Sequence, residues 1–302
     1  EPVVTEEPVV TEEPTAEPTA EPTPEVPALE ASVVDFTRHA YEGDTVSVST
    51  AVSGGVAPYT VTLQAVKGGA TVYTAEATAD AGASLSFKPE TWGDYEVIVL
   101  VRDAMGTETS VKAKVAVAAH DAENYHDWNA SVANVQRNGR WSHDIVEVAK
   151  SQVGYAQSEK DFILSSSGAR QYYSRYGAWY GNDYASNWNA MFAAFACNYG
   201  GGRRSMIGWS SSVVDWRDNV KAKGAYFLKS SGYTPSAGDL VFLNDEGRLT
   251  PQRIGVVEKA GGTLTVIEGD VSGRVARMSY DAHGLEVIGF VDMDLLQGLF
   301  EG

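Results

Sequence analysis

One stretch constrains this chain more than any other: residues 187–202, NWNAMFAAFACNYGGG. Ser186 and Asn187 suit a helix cap, nine or ten strong helix formers and aromatics follow, and three glycines stop the run. Phe192, Ala193, Ala194, Phe195 and Ala196 leave no polar face, so the predicted helix belongs inside a core. Its first turn is therefore held rigidly, and that turn carries Asn189. The chain's one cysteine, Cys197, lies ~12 Å further along the axis at the usual rise, too deep for chemistry. It reads as a small core hydrophobe.

The rest of the chain changes character along its length. Residues 1–30 repeat EPVVTE twice and EPTA twice, and hold seven of the eleven prolines and nine glutamates with no basic residue. Proline fixes the backbone near the polyproline region and like charges repel, so an extended stalk without a fold is expected, reaching at most ~90 Å. Subtracting those nine charges from the net −17 leaves −8 for the remainder, an acidic balance unsuited to nucleic acid. A single cysteine excludes an internal disulfide. No apolar run is long enough for a membrane span, and with neither an initiating Met nor a signal peptide the chain reads as a mature piece or fragment.

Residues 31–119 contain short alternating runs rich in Val, Thr and Tyr: VSVST, YTVTLQAV, TVYTAEAT, LSFKP, YEVIVLVRD and SVKAKVAVA. Turn signals separate them, at Ser53-Gly54-Gly55, at Gly68-Gly69 and between Asp103 and Gly106. This spacing predicts an all-β antiparallel sandwich of about seven strands, immunoglobulin-like or PKD-like. Tyr95, after Gly93-Asp94, is placed like the tyrosine corner of such sandwiches. Nothing in this region looks catalytic, and Asp35 and His39 read as surface residues. Residues 120–142 are polar and irregular, a linker with Tyr125, Trp128 and Trp141 as anchors.

The segment 143–302 opens with a helix capped at His143 or Asp144, with Ile145, Val148, Ala149 and Gln152 at helical spacing and Gly154 ending it. An aromatic cluster follows, Tyr172, Tyr173, Tyr176, Trp179, Tyr180, Tyr184 and Trp188, suited to a cleft wall or to the core. Residues 206–228 read as amphipathic helix, with Val213, Val214, Trp216 and Val220 inward. Strands are predicted over 238–243, 254–258, 263–268 and 285–291, the middle two joined at Gly261-Gly262 as a hairpin. With Ala260 opposite Thr263, Gly255 falls opposite Glu268 and Arg253 opposite Asp270. Arg253, Glu268 and Asp270 then share one face of a small antiparallel, barrel-like sheet.

The run RYGAWYGNDYASNWNAMFAAFACNYG, followed by PSAGDLVFLND and IGVVEKAGGTLTVIEGD, resembles the CHAP family, the cysteine, histidine-dependent amidohydrolase/peptidases that cut bacterial peptidoglycan. The resemblance covers about half of the chain and implies an α+β, papain-like domain with helices packed on the sheet. It places the family's nucleophile on Asn189, its general base on Arg253 and the residue that orients the base on Glu268. An amide is no nucleophile, and a guanidinium stays charged and has no acceptor atom. His39, His120, His126, His143 and His283 fall elsewhere. The catalytic site is thus expected to be degenerate, without cofactor, and one cysteine with scattered histidines gives no metal-ligand spacing.

Three readings follow. The leading one is a non-catalytic module on an extracellular or cell-surface bacterial protein, holding a peptidoglycan fragment or a surface-protein partner in a cleft lined by Tyr180, Tyr184, Trp188, Asn189, Arg253, Glu268 and Asp270. The others are an active amidase or endopeptidase with an atypical site, and a structural stalk domain whose cleft is closed by an Arg253 ion pair. In each, Arg253 is expected to pair with Glu268, Asp270 or both, because a buried charge without a partner is costly.

Overall fold

The computed structural model describes residues 25–125, 128–245 and 248–301. Residues 1–24 of the expected stalk, and His126, lie outside the described residues.

Alternation of apolar and polar residues builds the first unit. It has eight strands: β1 (Glu30–Phe36), β2 (His39–Tyr41), β3 (Val46–Ser53), β4 (Tyr59–Lys67), β5 (Ala70–Ala79), β6 (Ser84–Phe87), β7 (Gly93–Arg102) and β8 (Glu108–Ala118). They form a three-stranded sheet, β1-β3-β6, and a five-stranded sheet, β2-β8-β7-β4-β5. Val61, Leu63 and Ala65 of β4 and Val97, Val99 and Val101 of β7 point to one face and are buried with Val46, Val48 and Phe87 of the other sheet. A core between two sheets is the arrangement that period-two patterning requires. Tyr95 is buried and its hydroxyl donates to the Thr91 carbonyl at 2.7 Å, the backward bond of a tyrosine corner. Neither β1 nor β2 stands out in the sequence, since β1 shifts register between Val33 and Asp35 and loses its alternation, and β2 has three residues.

Beyond the sandwich come α1 (Trp128–Ser131), α2 (Trp141–Ser151), β9 (Phe162–Leu164), β10 (Arg170–Tyr172), α3 (Arg175–Tyr180), α4 (Asn189–Tyr199), α5 (Arg204–Ile207) and α6 (Val213–Ala222). Then follow β11 (Tyr226–Leu228), β12 (Leu240–Leu243), β13 (Arg253–Lys259), β14 (Thr263–Val271), β15 (Arg274–Asp281), β16 (Val287–Val291) and α7 (Met293–Glu301). The strands β11-β16-β12-β13-β14-β15 make one six-stranded antiparallel sheet, and β9 and β10 pair separately.

Helix α4 is the centre of this unit, as its composition demands: every residue from Asn189 to Cys197 is buried. It lies against β13 and β14 with α2 beside it. Two glycines permit this closeness. A Cβ on Gly269 would stand 2.4 Å from Cβ of Phe192, and one on Gly200 2.7 Å from the backbone nitrogen of Ile145.

Several sequence expectations are corrected. Helix α2 begins at Trp141, with Arg140 at its N-cap and no side-chain cap bond; Asp144 instead accepts from the backbone N–H groups of Asn138 and Gly139 at 2.8 and 2.9 Å. The stretch before it packs on the same core as α4, through Val132 and Trp141, which are buried, and Trp128, which is partly so. Residues 226–228 continue the sheet and not a helix. His39 is half-buried and not free on the surface: its Nε2 donates to the Phe162 carbonyl at 2.8 Å.

The β13–β14 hairpin carries the predicted register in its middle, with Val256 opposite Ile267 and Val257 opposite Val266. It then shifts, placing Lys259 opposite Thr265, so Ala260 does not pair with Thr263. At the other end Asp270 adopts φ 60 and Ser272 φ 50, and the pairing of β14 with β15 is irregular between Glu268 and Val271. That left-handed kink takes Asp270 out of the alternation that would have set it opposite Arg253.

Candidate functional site

Asn189 is the first residue of α4, and the Asn187 side chain accepts its N–H at 2.9 Å. The Asn189 carboxamide is only 2% exposed and is held at both ends. Its Nδ2 donates to the Gly269 carbonyl at 2.9 Å, and its Oδ1 accepts from the Ile254 N–H at 2.8 Å. One side chain thus ties the start of the buried helix to β13 and to β14. A carboxamide suits this task because it presents a donor and an acceptor from one planar group.

Ile254 and Gly269 each adjoin a charged member of the site. Arg253 Nη1 donates to Glu268 Oε2 at 2.6 Å and contacts Tyr280 Oη at 2.8 Å, while Nη2 pairs with Asp245 Oδ1. The Tyr280 hydroxyl donates to the other oxygen of Glu268. Glu268 is fully buried and the Arg253 side chain is 22% exposed. Arg253 Nε is buried and has no partner among the described residues. Burial pushes the Glu268 carboxyl up, the Tyr280 hydroxyl and the Arg253 guanidinium pull it down, and burial prevails. Burial works against the Arg253 cation, but Glu268, Tyr280 and Asp245 outweigh it and hold the guanidinium charged.

The structure therefore brings Asn189, Arg253 and Glu268 together and adds two residues that the sequence did not single out, Tyr280 and Asp245. Asp270 belongs to a different contact: its carboxylate accepts the Trp188 N–H at 3.1 Å and not the guanidinium. Burial pushes its pKa up to about 6, against the backbone N–H groups of Trp188 and Gly273.

The expected aromatic wall is not assembled as an open cleft. Trp188 is fully buried, stacked on Tyr176 with ring centroids 5.1 Å apart, and its indole N–H donates to Gln157 Oε1 at 2.8 Å. Tyr184 directs its hydroxyl to Asp161 at 2.9 Å, and Tyr180 lies beneath the Arg204 guanidinium, 5.6 Å from ring centroid to Cζ. Tyr173 and Tyr176 are buried as well, so much of the aromatic cluster is core. Cys197 is fully buried, and burial drives its thiol far above the usual range. No thiolate is available to act as a nucleophile.

Among the described residues, no three His, Cys, Asp or Glu side chains are grouped to hold a metal ion. Among them, too, no helix is long and apolar enough to cross a membrane.

No family model and no curated protein matches the chain. Solved structures with some likeness include an engineered protein, 20% identical with a TM-score of 0.26, covering 30% of this chain and 20% of its own length. The CARDB domain of a Pyrococcus furiosus protein, solved with di-metal ions, is 15% identical with a TM-score of 0.26, covering 32% of this chain and 99% of its own. The PKD domain of an M14-like peptidase from a Thermoplasmatales archaeon is 14% identical with a TM-score of 0.25, covering 31% and 96%. The chain thus spans only a fifth of the first of these proteins. At such TM-scores the likenesses carry no argument about what the chain does.

Proposed function

We propose that this chain is a non-catalytic, CHAP-like module on a bacterial cell-surface or secreted protein, in which the family's catalytic positions have become a structural clamp. The resemblance in the helix and hairpin motifs supports the reading. So does the meeting of Asn189, Arg253 and Glu268, which come from one helix and two adjacent strands far apart in sequence. A papain-like ancestry accounts for this convergence at the first turn of a buried helix.

The observation that carries the proposal is the double commitment of the Asn189 carboxamide between Ile254 and Gly269. A group buried and bonded in this way neither attacks a carbonyl nor offers its donor and acceptor to a ligand. With Arg253 spent on Glu268, Tyr280 and Asp245, the geometry favours a site closed by ion pairs over a holding cleft. Any peptidoglycan fragment or surface-protein partner is then engaged elsewhere on the molecule. Purified chain incubated with peptidoglycan should release no new amino termini above a heat-killed control. Release that rises with protein concentration and time would overturn the proposal.

A further inference from the structure

Where the sandwich meets the rest of the chain, three tyrosine hydroxyls converge on one carboxylate. Asp161, just before β9, is fully buried. It accepts from Tyr41 of β2 at 2.9 Å, from Tyr184 of the loop leading to α4 at 2.9 Å, and from Tyr125 of the segment after β8 at 2.7 Å. The Tyr41 and Tyr184 hydroxyls also lie 2.9 Å from one another. The Asp121 N–H approaches the same carboxylate at 3.4 Å, and His120 Nδ1 stands 3.9 Å away. Ser158 Oγ accepts the Asp161 N–H at 2.9 Å and donates to Asp121 Oδ2 at 2.7 Å.

We infer that Asp161 latches the sandwich and the C-terminal unit into one body that unfolds cooperatively, so the sandwich is a working part of the C-terminal fold and not a detachable spacer. A carboxylate has about four acceptor positions, and here they are filled from three separate segments of chain. Hydroxyl groups make most of the bonds to it, and among the described residues no Lys or Arg is a hydrogen-bond partner. Withdrawing the Tyr41 hydroxyl therefore leaves the buried charge short of a donor. All three phenols are pushed above their ordinary ionisation range, chiefly by burial and with Asp161 adding to it, and so remain donors at neutral pH.

Neighbouring contacts cross the same junction. His39 Nε2 donates to the Phe162 carbonyl, the Ala119 N–H donates to the Lys160 carbonyl at 2.9 Å, and Arg170 pairs with Asp94 while its guanidinium covers the Phe162 ring at 4.4 Å. Strands β2 and β7 of the sandwich and the residue after β8 thus all contribute to one seam. Domains joined by a bare linker move independently; a seam built on a buried charge couples them.

The distribution of tryptophan makes the inference testable in the full chain. Trp92 lies in the sandwich, whereas Trp128, Trp141, Trp179, Trp188, Trp209 and Trp216 lie beyond it. Tryptophan fluorescence therefore reports chiefly on the C-terminal unit. Tyr41→Phe and Tyr41→Ala alter only a sandwich residue, yet should lower the tryptophan-reported melting midpoint by about 3–8 °C. Asp161→Ala should lower it further, split a single calorimetric transition into two and raise the radius of gyration in solution scattering. If Asp161→Ala fails to fold, the Tyr41 variants decide alone. An unshifted tryptophan midpoint in both Tyr41 variants, or two independent transitions in the unaltered chain, would overturn the inference.

Discussion

Replacing Arg253 and Glu268 singly and together tests whether the site is a clamp. Glu268 is fully buried, whereas Asp245, the other carboxylate on Arg253, is exposed. Breaking a buried ion pair by removing one member usually costs about 3–5 kcal/mol, since the other charge stays behind. Glu268→Gln should fall at or below the lower end, about 2–3 kcal/mol, because Arg253 retains Tyr280 and Asp245 and reaches solvent. Arg253→Met should cost about 3–4 kcal/mol near pH 8, because Glu268 is then left with the Tyr280 hydroxyl alone. The double variant removes both charges and should cost less than Arg253→Met, which sets a coupling energy of about 2–4 kcal/mol.

The pH dependence of the Arg253→Met variant adds a check of sign. The Glu268 carboxyl is already raised in the folded chain, and loss of the cation raises it further. The folded state then binds more protons than the unfolded one above the ordinary carboxyl range, so this variant loses stability relative to the unaltered chain as pH rises above that range. Urea unfolding followed by tryptophan fluorescence measures all four proteins. Single effects that add to within about 0.5 kcal/mol would refute the clamp, since only uncoupled sites behave so.

Four further outcomes rest on the same geometry. Asn189→Ala should destabilise by about 2–4 kcal/mol in urea unfolding, because it leaves the Ile254 N–H and the Gly269 carbonyl buried and unpaired. Asn189→Cys should lose stability likewise and gain no peptidoglycan hydrolysis, as Arg253 still cannot take a proton. Asp270, pushed up to about 6 by burial, binds more protons folded than unfolded between the ordinary value of 3.8 and about 6. Its contribution therefore falls as pH rises through that window, and Asp270→Asn should flatten the decline in melting temperature from pH 4 to 6, leaving the parts carried by Asp239 and Glu268, which burial raises in the same way. Cys197 should stay unreactive toward Ellman's reagent until urea unfolds the chain; stoichiometric labelling of native protein would contradict its burial.

The contrast between what could and could not be read from the sequence has physical causes. Helix α4 was legible because an apolar run between a cap and a glycine stop has few alternatives, and the middle of the β13–β14 register because strand pairing has a period of two. Together they sufficed to put Arg253, Glu268 and Asp270 on one face, but not to choose between the two acids as the partner of Arg253. Asp270 escaped because a left-handed kink at one residue is not a periodic signal. Tyr280 escaped because β15, RVARMSYD, is an edge strand whose outward positions are charged and hide its inward ones. Asp245 reaches Arg253 from a turn, where no pattern announces a partner. The aromatic cluster was open to two readings, and the buried rings of Tyr176 and Trp188 fall on the core side. The Asp161 junction could not be read at all: its donors come from positions 41, 125 and 184, and only the folded chain brings them together.

A clamp at Asn189, Arg253 and Glu268 must be closed to ligands. Titrating isotope-labelled chain with muropeptides to millimolar concentration, while following the amides of Ile254 and Gly269, the Asn189 carboxamide and the Arg253 Nε–H resonance, addresses this directly. The clamp predicts that none of the four moves and that the Ile254 amide stays protected from hydrogen exchange throughout. Saturable shifts at these four groups would show a holding cleft and contradict the closed ion-pair clamp.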